Sequence, residues 1–189
     1  MKLFAITPDN ITPGLLRDSL PSLRKRDASY LYIRMSATKL EIQELVAESG
    51  AAGIMPIVPY VLYRRNMPGP CGVHFKSSEL SLLAQYAPVE AGVITASSHG
   101  SVDARLALQA GAKYVFVSPV YAPLSKPADT RQLLSSDDLQ KLIAQHGEKI
   151  VLLGGMTEQR IQDLRKNLTG DFSIAGISLF FGAPAPAIF

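Results

Sequence analysis

The stretch that decides the fold is Tyr30–Val58, YLYIRMSATKLEIQELVAESGAAGIMPIV. It opens on the apolar run Tyr30–Arg34 and closes on a second one, Ile54–Val58. Between them, Thr38-Lys39-Leu40-Glu41 has the form of a capping box, in which a Thr and a Glu side chain each satisfy an orphan amide at a helix start. Ile42, Leu45, Val46 and Ser49 then recur at 3, 4 and 7, the spacing of one buried helix face, and Gly50 supplies a stop. Strand, helix, strand in under thirty residues is the βαβ unit, which forces its two strands to be parallel.

The same alternation extends in both directions. Further runs rich in β-branched and aromatic residues are Leu3–Thr7, Gly72–Phe75, Val93–Ser97, Tyr114–Val117, Ile150–Leu153 and Ile174–Ile177, which brings the total to eight. Their apolar character is continuous, as expected of parallel strands covered on both faces. Helix signals fill the gaps. Leu139, Leu142 and Ile143 follow Ser135-Ser136-Asp137, and Ile161, Leu164 and Leu168 follow Thr157. Thr12-Pro13 opens a first helix that Pro21 is expected to end or kink. Eight such repeats without a break in composition predict an α/β fold, one compact (β/α)₈ TIM barrel over residues 1–189. Such barrels commonly need about 250 residues, so the connections must be short, and Gly182–Phe189 leaves room only for a shortened last helix. Pro56 inside the third strand lacks an amide for the ladder and is the one discordant residue of that run.

Composition excludes several classes of function. Hydrophobic residues make up 47 % and charged residues 19 %, and 19 Lys and Arg against 16 acids leave a net charge of +3. That excess is too small for a nucleic-acid footprint, and Arg24-Lys25-Arg26 is the longest basic cluster. Cys71 stands alone, so neither an internal disulfide nor a Cys-based zinc cluster forms. Met1–Thr7 is too short an apolar stretch for a signal peptide, and no run approaches a membrane span. The expectation is a cytoplasmic protein with no nucleic-acid or membrane partner, for which self-association into a homo-oligomer stays open.

In a barrel, function sits at the C-terminal ends of the strands and in the loops that follow. Arg34, Lys76 and Lys126 are cations at such positions, and Gly154-Gly155 precedes the helix opened by Thr157, whose dipole favours an anion. His74, His99, Ser97, Ser118 and Gly176 lie at the same end. The partner this predicts is a phosphorylated small molecule. The longest irregular stretch, Pro119–Leu134, has the length of a binding loop.

These residues also carry a resemblance. Ile94-Thr95-Ala96-Ser97-Ser98-His99, then Gly111-Ala112-Lys113-Tyr114-Val115, then Ser118-Pro119-Val120-Tyr121-Ala122-Pro123-Leu124-Ser125-Lys126-Pro127 resemble the thiamine phosphate synthase and thiazole tautomerase superfamily. Tyr32-Ile33-Arg34, Gly72-Val73-His74 and Leu153-Gly154-Gly155-Met156-Thr157 fall in that family's order. The resemblance implies a synthase that joins hydroxymethylpyrimidine pyrophosphate to thiazole phosphate and releases pyrophosphate. It implies catalytic roles for Arg34 and Lys126, with Arg34, Ser97, Ser125, Lys126, Gly154, Gly155 and Gly176 binding substrate. It also implies Mg²⁺, for which Glu79 stands where the second carboxylate ligand is expected.

Three departures qualify the synthase assignment. The span Ser49–Ser78 contains no Asp or Glu, so the first magnesium carboxylate is missing. Ser36 replaces an expected Lys, for which Arg64 or Arg65 is a substitute, and Phe180-Phe181 ends the eighth-strand loop where the family has Ser. The tautomerase branch uses a His where this chain has Pro119, so that chemistry would require a relocated acid/base, His74 or His99. A homologue that binds phosphate ligands without catalysis is the third reading.

Overall fold

The computed structural model describes residues 1–64, 70–87, 90–122 and 132–182. Eight parallel strands close on themselves in sequence order: β1 (Leu3–Ile6), β2 (Tyr30–Tyr32), β3 (Met55–Pro59), β4 (Gly72–Phe75), β5 (Ile94–Ser98), β6 (Tyr114–Val117), β7 (Ile150–Leu152) and β8 (Ser173–Gly176). Each of the eight apolar runs in the sequence supplies one strand. Between and after them lie α1 (Pro13–Lys25), α2 (Lys39–Ala51), α3 (Tyr60–Tyr63), α4 (Leu80–Tyr86), α5 (Ser101–Gln109), α6 (Ser136–His146), α7 (Glu158–Asn167) and α8 (Ser178–Phe181). The fold is a (β/α)₈ barrel, economical in its third and eighth helices, which have four residues each.

Local chemistry explains the helix starts. The Thr38 hydroxyl accepts from the Glu41 amide at 3.3 Å and the Glu41 carboxylate accepts from the Thr38 amide at 2.8 Å, the reciprocal capping box. Thr12, Ser135 and Thr157 cap α1, α6 and α7 in the simpler one-sided way. Pro21 neither ends nor interrupts the assignment of α1, which continues to Lys25. Pro56 is accommodated by strand geometry. The Met55 amide and the Ile57 carbonyl both face β2, so Pro56 faces β4, and β4 pairs with β3 only from Ile57–Gly72 onward. The missing amide therefore falls where that ladder has not begun. His146, at the end of α6, is partly covered, and its Nε2 is buried with no partner among the described residues.

Because side chains alternate across a strand, each run serves two cores. Ala5, Leu31, Val58, Val73, Phe75, Val115 and Ile174 face outward to the helices. Inward, Phe4 stacks on Tyr30 at 4.4 Å and meets Tyr114 and Phe116 edge-on at 5.2 Å. Such aromatic contacts contribute about 0.5–1.5 kcal/mol each beyond area burial. Above this plug, toward the strand C-termini, the inward residues change character: Tyr32, His74, Thr95 and Ser97 make the barrel mouth polar.

Candidate functional site

The mouth opens into a cleft of about 670 Å³ at the C-terminal ends of the strands. Asp9 follows β1, Arg34 follows β2, Lys76 follows β4, Ser97 and His99 belong to β5 and its loop, Ser118 follows β6 and Leu153 follows β7. Residues far apart in sequence therefore meet because parallel strands deliver their C-terminal ends to one rim.

Arg34 is fixed on that rim. Its amide donates to Thr7 Oγ1 at 3.0 Å, its Nε to the Thr7 carbonyl at 3.4 Å, and a terminal nitrogen to Asp9 Oδ1 at 2.6 Å. The guanidinium thus reaches the cleft already oriented and partly neutralised. Lys76, after β4, is exposed on the same rim. Asp9 is the one acid among the described lining residues.

His74 occupies the floor, buried at 2 % exposure between the rings of Tyr32 at 4.4 Å and Phe116 at 5.0 Å. Its Nδ1 lies 2.9 Å from Thr95 Oγ1 and its Nε2 lies 2.8 Å from Ser97 Oγ. Burial, assisted by the cations Arg34 and Lys76, pushes the imidazole pKa down to about 3. The ring is neutral at physiological pH, as desolvation of a charged form demands. Burial likewise pushes the Tyr32 phenol up. His99, at the lip, has its Nδ1 3.0 Å from the Ser118 carbonyl.

Gly154 and Gly155 have φ of +113° and +56°, a region L side chains rarely adopt. A Cβ on Gly154 would lie 2.9 Å from the Tyr121 carbonyl, and one on Gly155 would meet the Ala122 carbonyl and lie 2.6 Å from the Arg160 guanidinium. This pair lets the chain after β6 cross directly over the chain after β7. Val120 donates to Leu153 and Tyr121 to Gly154, while Arg160 donates to the Gly155 carbonyl at 2.6 Å and lies over the Tyr121 ring. The glycines thus join the two loops beside the cleft. Gly176 is buried in β8 beside Ala5, with Leu179 of α8 against its Cα.

The structure brings Arg34 and Ser97 to one cleft. Ser125 and Lys126 lie outside the described residues, as does Arg65. Arg64 is exposed and does not line the cleft. Glu79 turns its carboxylate back to cap the short turn Ser77–Glu79, accepting from the Lys76 amide at 2.8 Å. Among the described residues no three His, Cys, Asp or Glu side chains gather into a metal-ligand set. Glu79, the one carboxylate that the resemblance offers to magnesium, thus faces its own backbone. Sequence reading missed Asp9 and Thr95. Both were signalled: Asp9 sits just past β1, and Thr95 shares the inward face with Ser97 two residues on.

Against this geometry, residues 69–180, more than half of the chain, match the family model of thiamine monophosphate synthase. The chain belongs to that family. Among solved structures, this family member resembles thiamine phosphate pyrophosphorylase from Pyrococcus furiosus, with a TM-score of 0.71 at 19 % identity over 96 % of this chain and 88 % of that one. It resembles 3-dehydroquinate dehydratase from Aquifex aeolicus VF5 with a TM-score of 0.64 at 15 % identity, over 94 % and 91 %. A 3-hexulose-6-phosphate synthase gives 0.62 at 15 %, over 99 % and 95 %. At these identities the likeness speaks for the barrel alone. No curated protein matches in sequence. No described helix is long and apolar enough to cross a membrane.

At the opposite, N-terminal end of the barrel, a shallower depression of about 580 Å³ is bordered by Lys2, Arg24 and Lys113. Its cations are exposed and none is held by an ion pair among the described residues.

Proposed function

We propose that this chain performs the family's condensation at the C-terminal mouth, joining hydroxymethylpyrimidine pyrophosphate to thiazole phosphate. The observation that carries the reading is Arg34, a guanidinium held by Thr7 and Asp9 on the rim of a cleft whose floor is otherwise uncharged. In the reaction, the bond between the pyrimidine methylene carbon and the pyrophosphate oxygen breaks, and its electron pair leaves with pyrophosphate. The thiazole nitrogen then donates its lone pair to the methylene carbon, forming the new C–N bond. Negative charge grows on the leaving oxygen, so a preoriented cation stabilises the transition state more than the ground state. Arg34 offers a planar fork suited to two phosphate oxygens, and Lys76 adds a second positive charge to the rim of the same cleft.

A second reading, a protein that binds these phosphates without turning them over, is favoured by one observation. The carboxylate of Glu79 is committed to a backbone cap, and Asp9 is committed to Arg34, so the described residues leave magnesium poorly served. The isomerase reading is less well supported, since His74 is too weakly basic at a pKa of about 3 to accept a proton readily near neutrality.

The deciding experiment incubates the pure protein with both halves, with and without magnesium, and measures thiamine phosphate and pyrophosphate in equal amounts. Turnover supports condensation. No turnover, with thiazole phosphate still raising the unfolding temperature, overturns it in favour of the binding protein. Isomerisation of a thiazole carboxylate phosphate would select the tautomerase instead.

A further inference from the structure

The hydrogen bonds on the cleft floor have a direction that follows from one carbonyl. Thr95 Oγ1 lies 3.2 Å from the Val73 carbonyl oxygen, to which it donates. A carbonyl can only accept, so the Thr95 proton is committed there. The other neighbour of Thr95 Oγ1 is His74 Nδ1 at 2.9 Å, which must then be the donor. A neutral imidazole carries one proton, so Nε2 is bare and accepts from its neighbour, the Ser97 hydroxyl at 2.8 Å. The proton of Ser97 points down into the barrel. Its oxygen lone pairs point up into the cleft.

We infer that His74 is a positioning residue which, locked by Thr95 and Val73, holds Ser97 Oγ toward the ligand as a hydrogen-bond acceptor. This deepens the condensation reading and rests on it for the identity of the ligand. An acceptor oxygen repels phosphate oxygens and attracts N–H groups and electron-poor carbon. Ser97 therefore selects the aminopyrimidine half, whose amino group can donate and whose methylene carbon becomes positive as pyrophosphate departs. The anionic groups belong to the Arg34 and Lys76 side of the same cleft. The imidazole is further confined by tilted ring contacts with Tyr32 and Phe116.

The first test needs no substitution. Long-range proton–nitrogen spectra of the ¹⁵N-labelled protein report which ring nitrogen of each of its three histidines is protonated. The His74 signals are assigned by their shift in S97A. The prediction is a proton on Nδ1 and a bare Nε2, and T95V should mix the two tautomers. A proton on Nε2 would overturn the inference, because Ser97 would then be an acceptor to His74 and free to donate to phosphate.

The second test measures binding of two probes, the unphosphorylated aminopyrimidine alcohol and inorganic pyrophosphate. Loss of one acceptor should weaken the alcohol roughly tenfold in S97A and leave pyrophosphate within about twofold. H74F should reproduce that selectivity, and H74Q, whose amide oxygen can take the place of Nε2, should recover part of it. If H74F does not fold, S97A and the wild-type spectrum still decide. Weakened pyrophosphate with unchanged alcohol binding in S97A would refute the assignment. Failure of the condensation reading would show separately, as absence of thiamine phosphate from a protein whose His74 tautomer is as stated.

Discussion

Replacing Arg34 with Ala separates binding from stability, because the structure fixes what is lost in each. In the free protein the Arg34–Asp9 pair is 27 % and 64 % exposed, and pairs of this kind contribute about 0–1 kcal/mol. The amide of residue 34 would still reach Thr7 Oγ1, so the end of β2 keeps its anchor. Asp9 is largely exposed, so the loss of Arg34 brings it little burial penalty. The melting temperature should fall by no more than about 2–4 °C for a chain of this size. Ligand binding is a different matter. Charge-assisted hydrogen bonds from a guanidinium to pyrophosphate are worth about 1.5–3 kcal/mol, which is roughly a 10- to 150-fold loss of affinity. R34K should recover only a fraction, since a single ammonium replaces a fork. Isothermal titration of pyrophosphate into the three proteins measures the affinity, and scanning calorimetry measures the stability. Unchanged affinity in R34A, or a large stability loss with no selective effect on pyrophosphate, would remove Arg34 from the site.

Three other perturbations bear on the same geometry. D9N removes a negative charge from the rim and releases Arg34, so pyrophosphate should bind about two- to fivefold tighter in titration, consistent with a Coulomb term of roughly 0.5–1 kcal/mol near the surface; weaker binding would show that Asp9 orients the guanidinium instead. G154A places a side chain at φ +113° against the Tyr121 carbonyl, which should cost about 1–3 kcal/mol. Urea unfolding tests it, and a loss under about 0.5 kcal/mol would mean that the crossing of the two loops relaxes freely. The third concerns pH. His74 has its pKa lowered from 6.5 to about 3 by burial, so the unfolded state takes up a proton that the folded state refuses below pH 6.5. The stability this confers is complete above pH 6.5 and is lost as pH falls from there toward 3, at up to about 1.4 kcal/mol per pH unit. Between pH 6.5 and 5, above most carboxylate titration, H74Q should lack that part of the slope. Parallel slopes in wild type and variant would place His74 in water.

The strands were legible because each of them has two buried faces and so reads as a short unbroken apolar run. The capping box at Thr38 marked α2 to the residue for a similar reason: its chemistry is local. The prolines were harder. Pro21 sits well inside α1, where its missing amide proton and the clash with the preceding turn argue for interruption, yet the helix continues, and Pro56 is harmless only because of which neighbour it faces. The cleft was legible as a set of strand ends, which is why Arg34 and Ser97 were expected to border it. What could not be read is side-chain direction. Gly154-Gly155 gives no sign in the sequence that the loop after β6 crosses over it. Glu79 suggests a metal ligand until its carboxylate is seen capping its own turn. His74, Thr95 and Ser97 become a chain only through the β4–β5 register, which sets His74 beside Thr95.

The central claim is that an anionic ligand is held at the C-terminal mouth, with Arg34 as its fixed partner. A crystal structure of the protein soaked with pyrophosphate tests it most directly. The account predicts density within hydrogen-bond distance of the Arg34 guanidinium at the C-terminal mouth. Pyrophosphate seated instead at the opposite end of the barrel, among Lys2, Arg24 and Lys113, with the mouth empty, would contradict it.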